Sequence, residues 1–245
     1  MIRLFFVGIF LFLYFTLGLI PMGIYWLIGR FNKRACDRMS LATVNWGFRT
    51  ILFICGVKLT VKGRENIPDD VPVLYVSNHQ SIFDVLVGYP NVKGLCGFVA
   101  KVGVKKVPIL RRWMQLLYCL FMDRDDIRQS LEVILKGADQ IKGGVSMWIC
   151  PEGTRNKTPD EVLTAEFKEG SLKMAERAKA PVVPVAITGT RHIFEEKFPR
   201  IRPGRVTVEF GKPFLISELP KEQKKASGEY ARNIINEMLK QHKNA

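Results

Sequence analysis

The amino-acid sequence predicts an α/β fold, a mixed central β-sheet flanked by helices, with a membrane-associated helix pair at its N-terminus. Two observations predict it. From residue 56 onward short β-rich runs alternate with helix-compatible stretches, and residues 4–28 form an uncharged apolar run. The expected division is therefore an anchoring helical segment at 1–55 and an α/β domain at 56–245.

The apolar run, LFFVGIFLFLYFTLGLIPMGIYWLI, is long enough as one continuous helix to cross a hydrocarbon core of about 30 Å. Pro21 and Gly23 interrupt it. Residues 4–20 alone make a helix of roughly 26 Å, marginal for spanning and ample for burial in one leaflet. Two geometries follow. A single span puts its C-terminal side in the cytoplasm, because Arg30, Lys33, Arg34 and Arg38 follow it and only Arg3 precedes it. Alternatively, the chain turns at Pro21 and returns as a helix pair in one leaflet. Apolar residues at helical spacing in 32–57, between Lys33, Arg34, Arg38 and Arg49, favour the pair. The remaining domain is expected on the cytoplasmic face of the cell membrane. The run is too long for a cleaved signal peptide.

In the α/β part, VKLTVKG, VPVLYVSN, CGFVAK, YCLFMD, VSMWIC, VVPVAITG and RVTVEFG are the expected strands. Helices are expected at 81–88, 108–117, 127–141, 166–178 and 222–241. Ligands of such a sheet sit in the loops beyond its strand ends. The five cysteines, at 36, 55, 96, 119 and 150, have no C-x-x-C spacing and read as reduced thiols. No cluster has metal-ligand spacing, so no metal is expected.

With 37 Lys plus Arg against 23 Asp plus Glu, the formal charge is +14. Lys101, Lys105, Lys106, Arg111 and Arg112 form one basic cluster, and Lys197, Arg200, Arg202 and Arg205 another. Beside an anchor, such clusters attract anionic headgroups at about 1 kcal/mol per basic residue. No nucleic-acid partner is expected, since no nucleic-acid motif accompanies the charge.

The sequence VSNHQSIFD places His79 after an apolar strand and before a helix, at the rim of the sheet, where an imidazole can serve as a general base. With Ser81 capping the helix, Asp84 falls in its first turn and can point back to fix the imidazole tautomer. The same spacing is close to a capping box in which Asp84 only accepts from the Ser81 amide. No G-x-S-x-G, H-E-x-x-H or P-loop pattern is present.

The segment NHQSIFD resembles the N-H-x-x-x-x-D motif of the glycerolipid acyltransferase family. FMDR at 121–124 resembles the family's second motif, PEGTR at 151–155 its third, and VVPVAI at 182–187 its fourth, in the same order. FKEG at 167–170 resembles the segment that follows the third. The resemblance covers roughly residues 56–215 and is greatest to the 1-acyl-sn-glycerol-3-phosphate acyltransferases. These move a fatty acyl group from acyl-CoA or acyl carrier protein to lysophosphatidic acid, giving phosphatidic acid. The stretch AKVGVKKVPILR departs from the pattern, with Val104 and Arg111 where the family commonly has Leu and Gly. Whether Lys101 or Lys105 faces the site stays open there.

The resemblance implies that His79 takes the proton from the acceptor's 2-hydroxyl and Asp84 orients it, with direct transfer and no enzyme nucleophile. An acyl relay through Cys150 is the rival mechanism. Arg124 and Arg155 suit a phosphate through their bidentate fork, and Lys105 and Lys168 add charge. Glu152, Gly153 and Thr154 complete the substrate-binding set. An amide at the glycine holds the oxyanion, and Glu152 either positions the glycerol backbone or organises its loop. Pro184 either shapes a strand end near the site or is an edge-strand proline. Expected partners are lysophosphatidic acid, the acyl donor as co-substrate and a phospholipid membrane, with no other cofactor. Two further readings are an acyltransferase for glycerol-3-phosphate or another lysophospholipid, and a non-catalytic protein that binds anionic lipid.

Overall fold

The computed structural model describes residues 1–156, 158 and 162–243. Residues 244 and 245, the end of the expected α/β domain, lie outside the described residues. The chain opens with three helices, α1 (Ile2–Leu17), α2 (Leu19–Gly29) and α3 (Lys33–Cys55). There follow β1 (Val57–Lys62), β2 (Leu74–Ser77), α4 (Phe83–Gly88), β3 (Cys96–Lys101), α5 (Pro108–Leu116) and β4 (Leu120–Met122). The second half runs α6 (Ile127–Lys142), β5 (Ser146–Ile149), α7 (Lys173–Ala178), β6 (Val182–Thr188), α8 (Thr190–Ile193), β7 (Gly204–Phe210), α9 (Lys221–Lys225) and α10 (Ser227–Lys243).

All seven strand runs join one mixed sheet of order β1-β7-β6-β2-β5-β3-β4. The strands from β6 through β4 are parallel, and β7 turns antiparallel to β6 while pairing parallel with β1. The central strand β2 shows why both faces are covered. Leu74 and Val76 join the core under α6, α7 and α10, while Tyr75 points to the opposite core with α3, α4 and α5. Pro184 sits on β6, an internal strand, so it is not an edge proline. Its missing N–H falls just beyond Val185↔Phe210, the last rung of the β6–β7 ladder.

The N-terminal break lies at Gly18, with a bend of 41° between α1 and α2, rather than at Pro21. The ring of a proline clashes with the carbonyl four residues earlier, here Leu17, so Pro21 ends α1 and itself occupies the tolerant first turn of α2. Among the described residues no single helix is long and apolar enough to cross a membrane, whereas the bent pair α1–α2 reaches that length and composition. Helix α3 packs back on both. Tyr14 Oη donates to the Thr43 carbonyl at 3.2 Å, Tyr25 Oη meets Thr43 Oγ1 at 2.8 Å, and an added Cβ at Gly47 would lie 2.8 Å from the Tyr14 ring. The outward side of α1–α2 keeps large apolar groups in the open, Phe12 and Ile20 each at 68 % exposure. The expected boundary at 55/56 coincides with the left-handed turn at Gly56, φ 70°, yet one hydrophobic core runs across it from Val7 to Phe210.

Candidate active site

Four strand ends meet at one rim of the sheet, those of β2, β4, β5 and β6. His79 follows β2, and its Nδ1 lies 2.8 Å from Asp84 Oδ2, with the ring 19 % exposed and Asp84 buried. A carboxylate oxygen only accepts, so Nδ1 carries the hydrogen and Nε2 is left as the basic nitrogen. Asp84 also does what the capping alternative required. Its Oδ2 accepts from the amides of Gln80 at 2.7 Å and Ser81 at 2.9 Å. One carboxylate therefore shapes the loop and orients the ring. Helix α4 begins at Phe83, later than residue 81, because Ser81 turns its hydroxyl oxygen to accept from the Phe83 amide at 3.0 Å.

Glu152, in the loop after β5, is buried, and both its oxygens accept from backbone amides: Oε1 from His79 at 2.7 Å and Oε2 from Ala165 at 2.8 Å. Burial raises its carboxyl above the ordinary value, and the two amides partly offset this. Of the two roles open to Glu152, this geometry is that of an organiser, tying the loop after β5 to the His79 backbone. The Asn156 amide donates to the His79 carbonyl at 2.7 Å and makes the tie reciprocal.

Gly153 has φ 76°, a left-handed conformation that side chains resist, and its amide donates to the Cys150 carbonyl at 3.1 Å. A Cβ added there would lie 3.4 Å from Lys168 Cε and 3.9 Å from Arg124 Cδ, so the glycine, the lysine and the β4-end arginine share one place. Arg124 is half-buried; Thr154, Arg155 and Lys168 are exposed. Arg155 Nη1 donates to Glu195 Oε1 at 3.1 Å. Lys105 is exposed with its Nζ 5.7 Å from the centre of the Phe121 ring, on the strand that leads to Arg124. Lys101 is exposed at the end of β3. The Cys150 thiol is pushed up to about 12, chiefly by burial, and lies 3.4 Å from Ser77 Oγ. It is therefore held as a thiol rather than a nucleophilic thiolate.

Two residues of this constellation escaped the sequence reading. Thr190, fully buried at the start of α8, donates to Asp84 Oδ1 at 2.6 Å. Glu195 accepts from Ser81 Oγ at 2.6 Å and from the Ile82 amide at 2.9 Å. The signal for Thr190 was its place two residues beyond β6, on the rim that carries His79. Glu195 gave none, being one of two adjacent acids in the basic stretch RHIFEEKFPR.

A family model described as Acyltransferase matches residues 58–188, more than half of the chain. The 1-acyl-sn-glycerol-3-phosphate acyltransferase of Saccharomyces cerevisiae is 28 % identical over 228 residues, covering 91 % of this chain and 74 % of the yeast protein. The protein of the same name from Borreliella burgdorferi is 31 % identical over 159 residues, covering 64 % of this chain and 62 % of its own length. The crystal structure of the 1-acyl-sn-glycerophosphate acyltransferase PlsC from Thermotoga maritima superposes with a TM-score of 0.82 at 22 % identity, covering 100 % of this chain and 96 % of that one. At that identity the superposition speaks for the fold. With the first three of its ordered motifs at one rim of this sheet, the fourth along β6, and the family model running from β1 to the last residue of β6, the chain belongs to the acyltransferase family.

Proposed function

We propose that the chain is a membrane-associated 1-acyl-sn-glycerol-3-phosphate acyltransferase, moving a fatty acyl group from acyl-CoA or acyl carrier protein to the 2-hydroxyl of lysophosphatidic acid in phospholipid synthesis. The observation that carries this reading is the His79–Asp84 pair, with Nε2 left as the basic nitrogen at the rim. His79 takes the proton of the acceptor hydroxyl, the oxygen attacks the thioester carbonyl, and the imidazolium returns the proton to the leaving thiolate. The Gly153 amide is committed to Cys150, so the following amides, of Thr154 and Arg155, are the donors assigned to the oxyanion. Arg124 and Arg155 receive the phosphate, with Lys168 and Lys105 adding charge. The apolar outward side of α1–α2 rests in one leaflet on the cytoplasmic side, so the acceptor's chain never has to leave lipid, at about 0.8 kcal/mol per CH₂.

The test is a product assay in detergent micelles with acyl-CoA and acyl carrier protein offered separately. Lysophosphatidic acid should be converted, and lysophosphatidylcholine, which lacks a phosphate monoester, should be converted at least about tenfold more slowly. Equal rates with both acceptors would overturn the assignment of Arg124 and Arg155 to the headgroup. No transfer to either would remove the acceptor assignment altogether.

A further inference from the structure

We infer that Glu195 is a positioning residue for this reaction, holding the phosphate-binding arginine and the catalytic-histidine loop in one frame. It lies in a short turn, Glu195–Lys197, beyond the residues that the family model matches. The inference rests on the reading of Arg155 as a phosphate ligand.

Three contacts converge on this carboxylate. Oε2 accepts from Ser81 Oγ at 2.6 Å, and Oε1 accepts from the Ile82 amide at 2.9 Å and from Arg155 Nη1 at 3.1 Å. Ser81 and Ile82 follow His79 on the loop after β2, and Arg155 closes the motif after β5. Glu195 therefore bridges two loops that approach from different strands. Its side chain is only 18 % exposed, whereas that of Arg155 is 53 % exposed. An exposed arginine surrenders rotamer freedom when it grips a phosphate. Fixing one Nη in advance removes part of that cost and leaves the remaining N–H groups for the ligand.

The adjacent acid shows that charge alone does not define the position. Glu196 pairs instead with His192 at 3.0 Å, with its side chain 40 % exposed. It serves as the charge-matched control.

The experiment compares the unsubstituted chain with Glu195→Gln and Glu196→Gln, each with Arg155 present and as Arg155→Ala. Both the Kd of lysophosphatidic acid in mixed micelles and the steady-state constants at fixed acyl donor are read. Glutamine keeps the size and one acceptor oxygen, and equal Tm values establish that the variants fold alike. Glu195→Gln should raise Kd and KM about fivefold with kcat reduced less than about threefold. In the Arg155→Ala background the same change should alter Kd by less than about twofold, and Glu196→Gln should alter it in neither. A Kd unmoved by Glu195→Gln while Arg155→Ala raises it would overturn the inference and leave the arginine reading intact. The same would follow from an equal effect in both backgrounds. A Kd unmoved by Arg155→Ala would overturn the arginine reading and the inference with it. If the unsubstituted chain formed no product, the proposed reaction would fail, and the Kd comparison would still decide the role of Glu195.

Discussion

The rim of the sheet and the outward side of α1–α2 are built on opposite principles. At the rim, Asp84, Glu152 and Glu195 are each held by directional hydrogen bonds that cross between loops, and most of the donors are backbone amides. On α1–α2 the exposed groups include Phe5, Phe6, Phe12 and Ile20, which have size and no direction. Hydrogen bonds constrain angle and distance, so even an isosteric amide in place of a rim carboxylate should carry a cost. Apolar area is additive and non-directional, so the helices should respond in proportion to the area removed.

The largest effect that would break this contrast concerns Asp84. Asp84→Asn keeps the shape but offers one oxygen and an NH₂ to a ring and two amides that need acceptors. The rate of transfer should fall by about 10³–10⁴, measured as kcat with donor saturating. A fall of tenfold or less would show that the rim is as tolerant as the helices.

On the helices, Phe5→Ser combined with Phe12→Ser should lower partition into phospholipid vesicles by about three orders of magnitude. Each ring contributes roughly 2 kcal/mol when buried, and sedimentation with vesicles reads the sum. The rate in detergent micelles should change by less than about twofold. Each single change should give about half of the double effect in free energy.

Glu152→Gln sharpens the rim side with a smaller effect. A single amide oxygen cannot accept from both His79 and Ala165, and its NH₂ would face one of those N–H groups. Stability should fall by about 2 kcal/mol, a drop in Tm of roughly 5 °C. Burial holds the native carboxyl above its ordinary value, so the folded chain binds that proton more tightly than the unfolded chain. The glutamate's contribution therefore grows as pH falls into the carboxylate range and is lost as pH rises through the shifted value. The glutamine variant should lack that slope in a series of unfolding midpoints against pH.

The smallest effect is expected at Cys150. Its thiol stays protonated near neutrality, so Cys150→Ala should retain the rate within about threefold, and no acyl-enzyme thioester should be trapped by acid quench.

The seven strands were legible because each is a short apolar run between turn residues, and the N-terminal helices because their composition is extreme. What escaped depended on partners distant in sequence. The helix expected at 166–178 is an α-helix only from Lys173, because the chain before it docks on the β5 loop through Ala165 on Glu152 and the Lys168 amide on the Pro151 carbonyl. The helix expected at 222–241 is divided at Ala226, and Glu169 caps the second part by accepting from the amides of Gly228 at 2.7 Å and Glu229 at 3.0 Å. No local pattern shows a cap from some sixty positions away. In the site, His79 and Asp84 could be found together since they are five residues apart, whereas Thr190 and Glu195 reach the same loop from more than a hundred residues on.

The measurement that tests the account most directly is the formation of labelled phosphatidic acid by the unsubstituted chain and by His79→Ala, at saturating donor, with lysophosphatidic acid binding followed in the same micelles. His79→Ala should lower product formation by at least about 10³ while binding changes less than about twofold. Product formation that survives the loss of His79, with binding intact, would contradict it.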